Sequence, residues 1–383
     1  KFARLKNVRQ SSMTQRLAFE IATCFSVVAI VFATGRSDAT LVSNGLRNLG
    51  NTCYMNAQLQ CAFHIPRIRQ ILRGLEDPNI SSKALMQLFK EMEECAGADR
   101  SFRAASPTSF CRTLGIPTMQ QQDSQEFWKL LLPSLNITEL TDLYQGSYED
   151  YITAVDGSGR ERRREEAFLD LSLEVASHES VLSSLRDRFG SPELLCEAEG
   201  NGWRPQKGAE KIDALKGSVL RISGLPSLLQ LHLKRFQYDW HSETMSKLNS
   251  RLAFPLELDL SSVCSEVYDS KNNEGMYDLQ SVIVHVGDFS GGHYYAYVRP
   301  DIRKDCWIRF DDDRVSLVSY RDVAIDGYGG KRAERVRKKT KQGFLKRLLL
   351  SGASPKYGWG GPGSSAYMLQ YVKRDEIQNL YDN

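Results

Sequence analysis

Gly45-Leu46-Arg47-Asn48-Leu49-Gly50-Asn51-Thr52-Cys53-Tyr54-Met55-Asn56 places a thiol where a helix should begin. Its glycines permit a tight loop, and Asn51 and Thr52 are residue types that cap a helix N-terminus. Beyond them Met55, Leu59, Ala62 and Phe63 fall on one helical face, so a helix is predicted from near Cys53. A thiol there feels the positive end of the helix dipole, which favours the nucleophilic thiolate. Asn48, five residues upstream, can turn its amide N–H toward the same point as an oxyanion donor. Most cysteines are simply buried thiols, and this chain has eight. Position singles out Cys53.

The helical pattern runs outward from this stretch to about Leu132, with Leu85, Leu88 and Met92 again on one face. Beyond Leu143 the apolar residues alternate or cluster in short runs between turn signals, as in FLDLSLEV at 168–175, LLQLHLKRF at 228–236, LQSVIVHV at 279–286 and HYYAYV at 293–298. A helical first third followed by a largely antiparallel β remainder predicts an α+β fold, with a cleft where the two meet. No internal repeat is visible. Residues 351–365, rich in Gly, Ser and Pro, read as a loop.

One strand opens with Gly291-Gly292-His293, where two glycines would keep a path clear beside an imidazole. After a loop near residues 300–305 comes Cys306-Trp307-Ile308-Arg309-Phe310, ending at Asp311-Asp312-Asp313. A hairpin centred near residue 302 would set His293 directly opposite Asp311, close enough for the carboxylate to hold one imidazole nitrogen. Together with Cys53 this makes nucleophile, base and orienter. Taken singly, a strand histidine is usually structural and three aspartates usually a solvated turn.

Composition bounds the reading. The 383 residues are 41% hydrophobic and 25% charged, globular in character, with a net charge of +3. That net value hides an asymmetry. Residues 331–347 hold nine basic residues and one acid, residues 1–44 hold six and two, and the remainder is acidic by nine charges. An acidic body favours a basic partner over nucleic acid. The cysteines form no C-x-x-C pair, which argues against a zinc site and a secreted disulfide framework, and for a reducing compartment, cytoplasm or nucleus. Residues 18–34 form an apolar run that resembles a targeting segment but is interrupted by Glu20 and short for a membrane span. A membrane role is not expected.

These motifs together resemble the ubiquitin-specific protease family. Its Cys box is matched by GLRNLGNTCYMN at 45–56 and its His box by GGHYYAY at 291–297 with WIRFDDD at 307–313. QQDSQEF at 121–127 and LHLKRF at 231–236 lie between them in family order. FDDD at 310–313, YGG at 328–330 and AYML at 366–369 bring the chain nearest to the herpesvirus-associated branch.

The resemblance implies a papain-like cysteine peptidase shaped as a hand. The helical thumb would span about 45–140, the β fingers about 141–250 and the β palm about 251–373, fingers and palm interleaving as in the family, with residues 1–44 flanking, 374–383 a tail, and a basic insertion at 331–365. It implies that Cys53 attacks after the last glycine of ubiquitin, with His293 as base, Asp311 as orienter, Asp312 as fallback orienter, and Asn48 at the oxyanion. Asp123 and Glu126, i and i+3 on a helix, would meet arginines of the ubiquitin tail, with Gln121 in the same motif. They would also complement the helix dipole. Tyr294 would line the channel for the tail's two glycines, and His285 is a weaker candidate nearby. No cofactor or metal is expected, the partners are ubiquitin and ubiquitinated proteins, and a monomer is expected. The rival readings are a catalytically dead ubiquitin-binding module and a protease for another ubiquitin-like modifier.

Overall fold

The computed structural model describes residues 44–97, 104–240, 243–265, 275–289, 291–330 and 363–382. The apolar run at 18–34 and most of the basic insertion lie outside them. Six helices come first: α1 (Cys53–Phe63), α2 (Pro66–Arg73), α3 (Ile80–Gly97), α4 (Thr108–Leu114), α5 (Ser124–Ser134) and α6 (Thr138–Tyr144). All eleven residues of α1 are buried, so this helix is a core element, with the others packed around it. Pro66 starts α2, where a missing N–H costs nothing, and Asp123 caps α5.

Strands follow from Gly146. They are β1 (Gly146–Ala154), β2 (Glu161–Phe168), β3 (Leu171–Glu174), then α7 (Val181–Gly190), β4 (Glu193–Leu195), β5 (Ala214–Leu220), β6 (Leu228–Lys234), β7 (Phe236–Asp239) and β8 (Thr244–Lys247). The chain continues through β9 (Glu257–Asp259), β10 (Met276–Asp288), β11 (Gly291–Val298), β12 (Trp307–Asp311), β13 (Arg314–Val318), α8 (Tyr320–Gly327), β14 (Ser365–Lys373) and α9 (Ile377–Tyr381). One four-stranded sheet has the order β2-β1-β5-β4. A larger sheet runs β13-β12-β11-β10-β14-β6-β3, with β9 also on β10, and β7 and β8 form a hairpin of their own. Among the described residues every ladder between these strands is antiparallel except that of β3 with β6. The expected mixed helix-and-sheet fold is present. A cut at residue 250 does not separate the sheets, since β3 and β6 join the large one.

The central strands of the large sheet are buried on both faces, and strand alternation sorts their side chains. Tyr294, Ala296 and Val298 of β11 pack with the helices around α1. Tyr295 and Tyr297 pack on the other face with Trp307, Val323 of α8 and Leu185 of α7. The sheet therefore carries α1 on one side while its β11–β12 hairpin ends beside the start of that helix. Among the described residues no helix is long and apolar enough to cross a membrane.

Candidate active site

Cys53 is the first residue of α1 and only 3% exposed. The loop before it is held by its own polar groups. Oδ1 of Asn48 accepts from the backbone N–H of Gly50 at 3.0 Å and of Thr52 at 3.1 Å, and Oγ1 of Thr52 accepts from Leu49 at 3.0 Å. Thr52 is the N-cap by position but its side chain makes no capping bond. Asn51 instead ties the loop to the residues before α5, donating to the Met119 carbonyl at 2.6 Å. Gly50 has φ +130°, and a Cβ there would lie 2.9 Å from the Thr118 carbonyl, so this position requires glycine.

His293, near the start of β11, meets Asp311 at the end of β12, with Nε2 to Oδ1 at 2.6 Å. The ladder pairs Ala296 with Phe310, Tyr297 with Arg309 and Val298 with Ile308. The hairpin is thus centred one residue later than the sequence suggested, and Asp311 falls in line with Tyr295, not His293. A two-residue displacement keeps both side chains on one face, so the pair forms diagonally instead of by direct opposition.

The electrostatics follow from this contact. Burial alone would lower the pKa of His293, but hydrogen bonds with Asp311 and Cys53, and the charges of both, raise it to about 10. Burial tends to raise Asp311, and the bond and charge of His293, helped by Arg309 and Arg314, hold it below the usual carboxylate range. Asp312 moves the other way, raised by burial and by the neighbouring Asp311 against the pull of Asn56, His293 and Asn48.

Asp312 has a different position from its neighbour. It occupies the two-residue turn between β12 and β13 with φ +56°, a conformation aspartate tolerates better than most residues. The turn sends its carboxylate back to the Cys53 loop. Oδ2 accepts from Nδ2 of Asn48 at 2.8 Å, Oδ1 accepts from Nδ2 of Asn56 at 2.9 Å, and its carbonyl accepts from the N–H of Leu46 at 2.9 Å. Its Oδ2 stands 3.9 Å from Nε2 of His293. Asp311 therefore holds the histidine, and Asp312 holds the asparagines on either side of Cys53.

The remaining sequence candidates separate. Gln121 donates from Nε2 to Sγ of Cys53 at 3.4 Å and to the Gly292 carbonyl at 3.0 Å, bridging thiol and histidine strand, a placement its motif did not disclose. Asp123 is not within the helix but caps it, accepting from Gln125 at 2.7 Å and Glu126 at 3.0 Å, and from the Tyr367 hydroxyl. The helix-dipole reading thus holds for it, and its carboxylate is already well occupied. Glu126 is exposed in the first turn of α5.

Tyr294 is buried and packs on Tyr367 and His285. His285 is 2% exposed, flanked by Phe236 and Tyr294, with its pKa pushed down to about 3 by burial and then by Lys247 and His293. It is a neutral ring behind the wall, not on an open surface. Gly292 is needed for this packing, since a Cβ there would collide with the His285 ring, while Gly291 faces open space. The expected clear path thus belongs to one glycine only. A cavity of about 550 Å³ lies elsewhere, between α2 and α3 and lined by Arg69, Arg73 and Phe89.

The sequence profile of the ubiquitin carboxyl-terminal hydrolases matches residues 44–371. The chain belongs to that family. It is similar to ubiquitin carboxyl-terminal hydrolase 15 of Schizosaccharomyces pombe, 33% identical over 356 residues, covering 88% of this chain and 28% of that protein. It is likewise 33% identical to ubiquitin C-terminal hydrolase 12 of Arabidopsis thaliana, over 88% of this chain and 30% of that protein. Ubiquitin carboxyl-terminal hydrolase 15 of Saccharomyces cerevisiae is 30% identical over 88% of this chain and 27% of its own length. The chain thus spans under a third of these curated relatives.

Proposed function

We propose that this chain is the catalytic region of a deubiquitinating thiol peptidase, which hydrolyses peptide or isopeptide bonds after the C-terminal glycine of ubiquitin. The observation that carries the reading is a thiol at a helix N-terminus hydrogen-bonded to a histidine whose far nitrogen is held by a carboxylate, in a chain of this family. With Nε2 of His293 engaged by Asp311, Nδ1 is the nitrogen left to exchange a proton with Cys53. The thiolate attacks the glycine carbonyl. The C–N bond breaks as the imidazolium gives its proton to the leaving amine, and a thioester remains on Cys53. Water, giving a proton to His293, then releases the ubiquitin carboxylate and restores the thiol pair.

Asn48 donates one amide N–H to Asp312 and keeps a second, which serves the oxyanion. In this reading Asp312 aims Asn48 while Asp311 aims His293. The proposed hand has α1 to α6 as thumb, the β2-β1-β5-β4 sheet as fingers and the large sheet as palm. Glu126 is the freer carboxylate for a basic ubiquitin tail, and Asp123 contributes through its cap. The chain works as a monomer on ubiquitinated proteins in cytoplasm or nucleus.

Ubiquitin bearing a C-terminal thiol-reactive electrophile tests this reading. A one-to-one adduct at Cys53 is expected. No adduct, with Cys53 still open to a small alkylating agent, would overturn it, and reaction only with a different ubiquitin-like modifier would redirect it.

A further inference from the structure

Behind His293 and Asp311 the sheet carries a second polar layer that the reaction above does not use. Arg309 lies two residues before Asp311 on β12, on the same face, and is 4% exposed. Its Nη2 donates to Oδ2 of Asp311 at 3.0 Å, the oxygen not engaged by His293. Its guanidinium carbon stacks 4.1 Å above the centroid of the Tyr295 ring. Tyr295 and Tyr297 both donate their hydroxyls to Asp326 of α8, the latter at 2.8 Å, and Asp326 is buried as well. The result is a continuous line from Asp326 through the two tyrosines and Arg309 to Asp311 and His293.

Each link limits the next. Asp326 fixes the tyrosine rings, and the ring of Tyr295 leaves the planar guanidinium one surface on which to lie. From there its Nη2 meets Oδ2 of Asp311, which sets the rotation of that carboxylate and turns Oδ1 toward the imidazole. A buried guanidinium is costly to desolvate, and an apolar side chain of similar size would fill the same space at less cost. What Arg309 adds is direction and charge at Asp311. We propose that Arg309 is a positioning residue for the thiol-peptidase reaction, acting on His293 through Asp311, an inference that rests on the proposed function above.

The two effects of Arg309 have separable consequences. Fixing Asp311 keeps the imidazole aligned during turnover and should not alter how ubiquitin binds. Its charge also draws on the carboxylate, so removing Arg309 makes Asp311 a stronger acceptor and holds the His293 proton to higher pH.

The test uses the whole chain with Arg309→Met and Arg309→Lys. The first readout is kcat and KM on ubiquitin carrying a C-terminal fluorogenic amide. The second is the pH dependence of Cys53 alkylation by iodoacetamide, followed by peptide mass spectrometry. For Arg309→Met, kcat should fall about tenfold with KM within about twofold, and the basic limb of alkylation should move upward by about half a pH unit. Arg309→Lys should recover much of kcat and return the limb toward the parent. An unchanged kcat, or a loss shared equally with KM and no movement of the limb, would overturn the proposal. If Arg309→Met does not fold, Arg309→Gln takes its place: kcat below the parent with KM unchanged and the limb raised supports the proposal, and any other pattern rejects it. If the parent fails to cleave the ubiquitin substrate, the thiol-peptidase reading fails, whereas the alkylation limb still reports whether Arg309 acts on the Cys53–His293 pair.

Discussion

His293 and Asp311 meet at 2.6 Å along a diagonal of the β11–β12 ladder, two positions away from direct opposition. The contact depends on the length of the aspartate side chain as much as on register. Asp311→Asn keeps the shape but cannot stabilise an imidazolium, so kcat should fall by about 10²–10⁴ while ubiquitin affinity stays near the parent. Asp311→Glu, one methylene longer, should overshoot the diagonal and recover little. Steady-state kinetics beside a binding titration check both, and a fully active Asp311→Asn would remove Asp311 from the site.

Cys53→Ala should abolish hydrolysis and retain ubiquitin binding, because the buried thiol offers chemistry but little contact area. Residual cleavage above a few per cent of the parent would move the nucleophile elsewhere.

Asp312 predicts a different phenotype from Asp311. It joins the turn after β12 to the Cys53 loop through Asn48 and Asn56, at a positive φ that asparagine also tolerates. Asp312→Ala should lower both kcat and stability, the latter by about 1–3 kcal/mol for the unpaired amides left behind. Asp312→Asn should lose less of each. Urea unfolding and kinetics on the same samples separate the two effects, and equal losses in the two variants would contradict the assignment.

The pH dependence of stability contains two opposed contributions. His293 is raised in the folded state to about 10, so its contribution is full below the unfolded value near 6.5 and is lost as pH rises through about 10. Lys247, on β8, donates to the carbonyls of His285 at 2.8 Å and Gly363 at 2.7 Å. Burial first, then Arg235, lowers it to about 7 against the pull of Asp288. Between that value and its unfolded value near 10.4 the unfolded chain binds the extra proton, so stability rises with pH. The parent's advantage over His293→Gln should therefore shrink from about pH 7 to 10, and its advantage over Lys247→Met should grow. Denaturant unfolding at three pH values reads both slopes. Parallel curves for all three proteins would refute the pair of shifts.

The basic insertion can be shortened. Gly330 donates to the Asn249 carbonyl at 2.6 Å, and Gly363 also lies beside Asn249, so the chain leaves and re-enters at one place. Replacing residues 332–362 with a short Gly/Ser linker should keep ubiquitin cleavage within about tenfold, since loop closure costs depend only weakly on length. Loss of activity in a variant that still folds would show that the segment shapes the cleft.

Much of this molecule is written locally. The start of α1 at Cys53, the strand periods around His293 and Trp307, and the switch from helices to strands near Gly146 follow from side-chain spacing and glycine placement, which act over a few residues. The position of Cys53 at a helix start and of His293 near a strand start was legible for the same reason. Relations set by distant chain segments were not. Gln121 reaches Cys53 and the Gly292 carbonyl only because the loop before α5 folds against β11. The division of contacts between Asp311 and Asp312 depends on a turn that reverses one carboxylate toward Asn48, 264 residues earlier in the chain. The ladder's true register, the burial of His285 and the stacking of Arg309 on Tyr295 likewise come from packing across the sheet. Periodicity fixes which face a strand residue takes, but only the assembled core decides which neighbour on that face it meets.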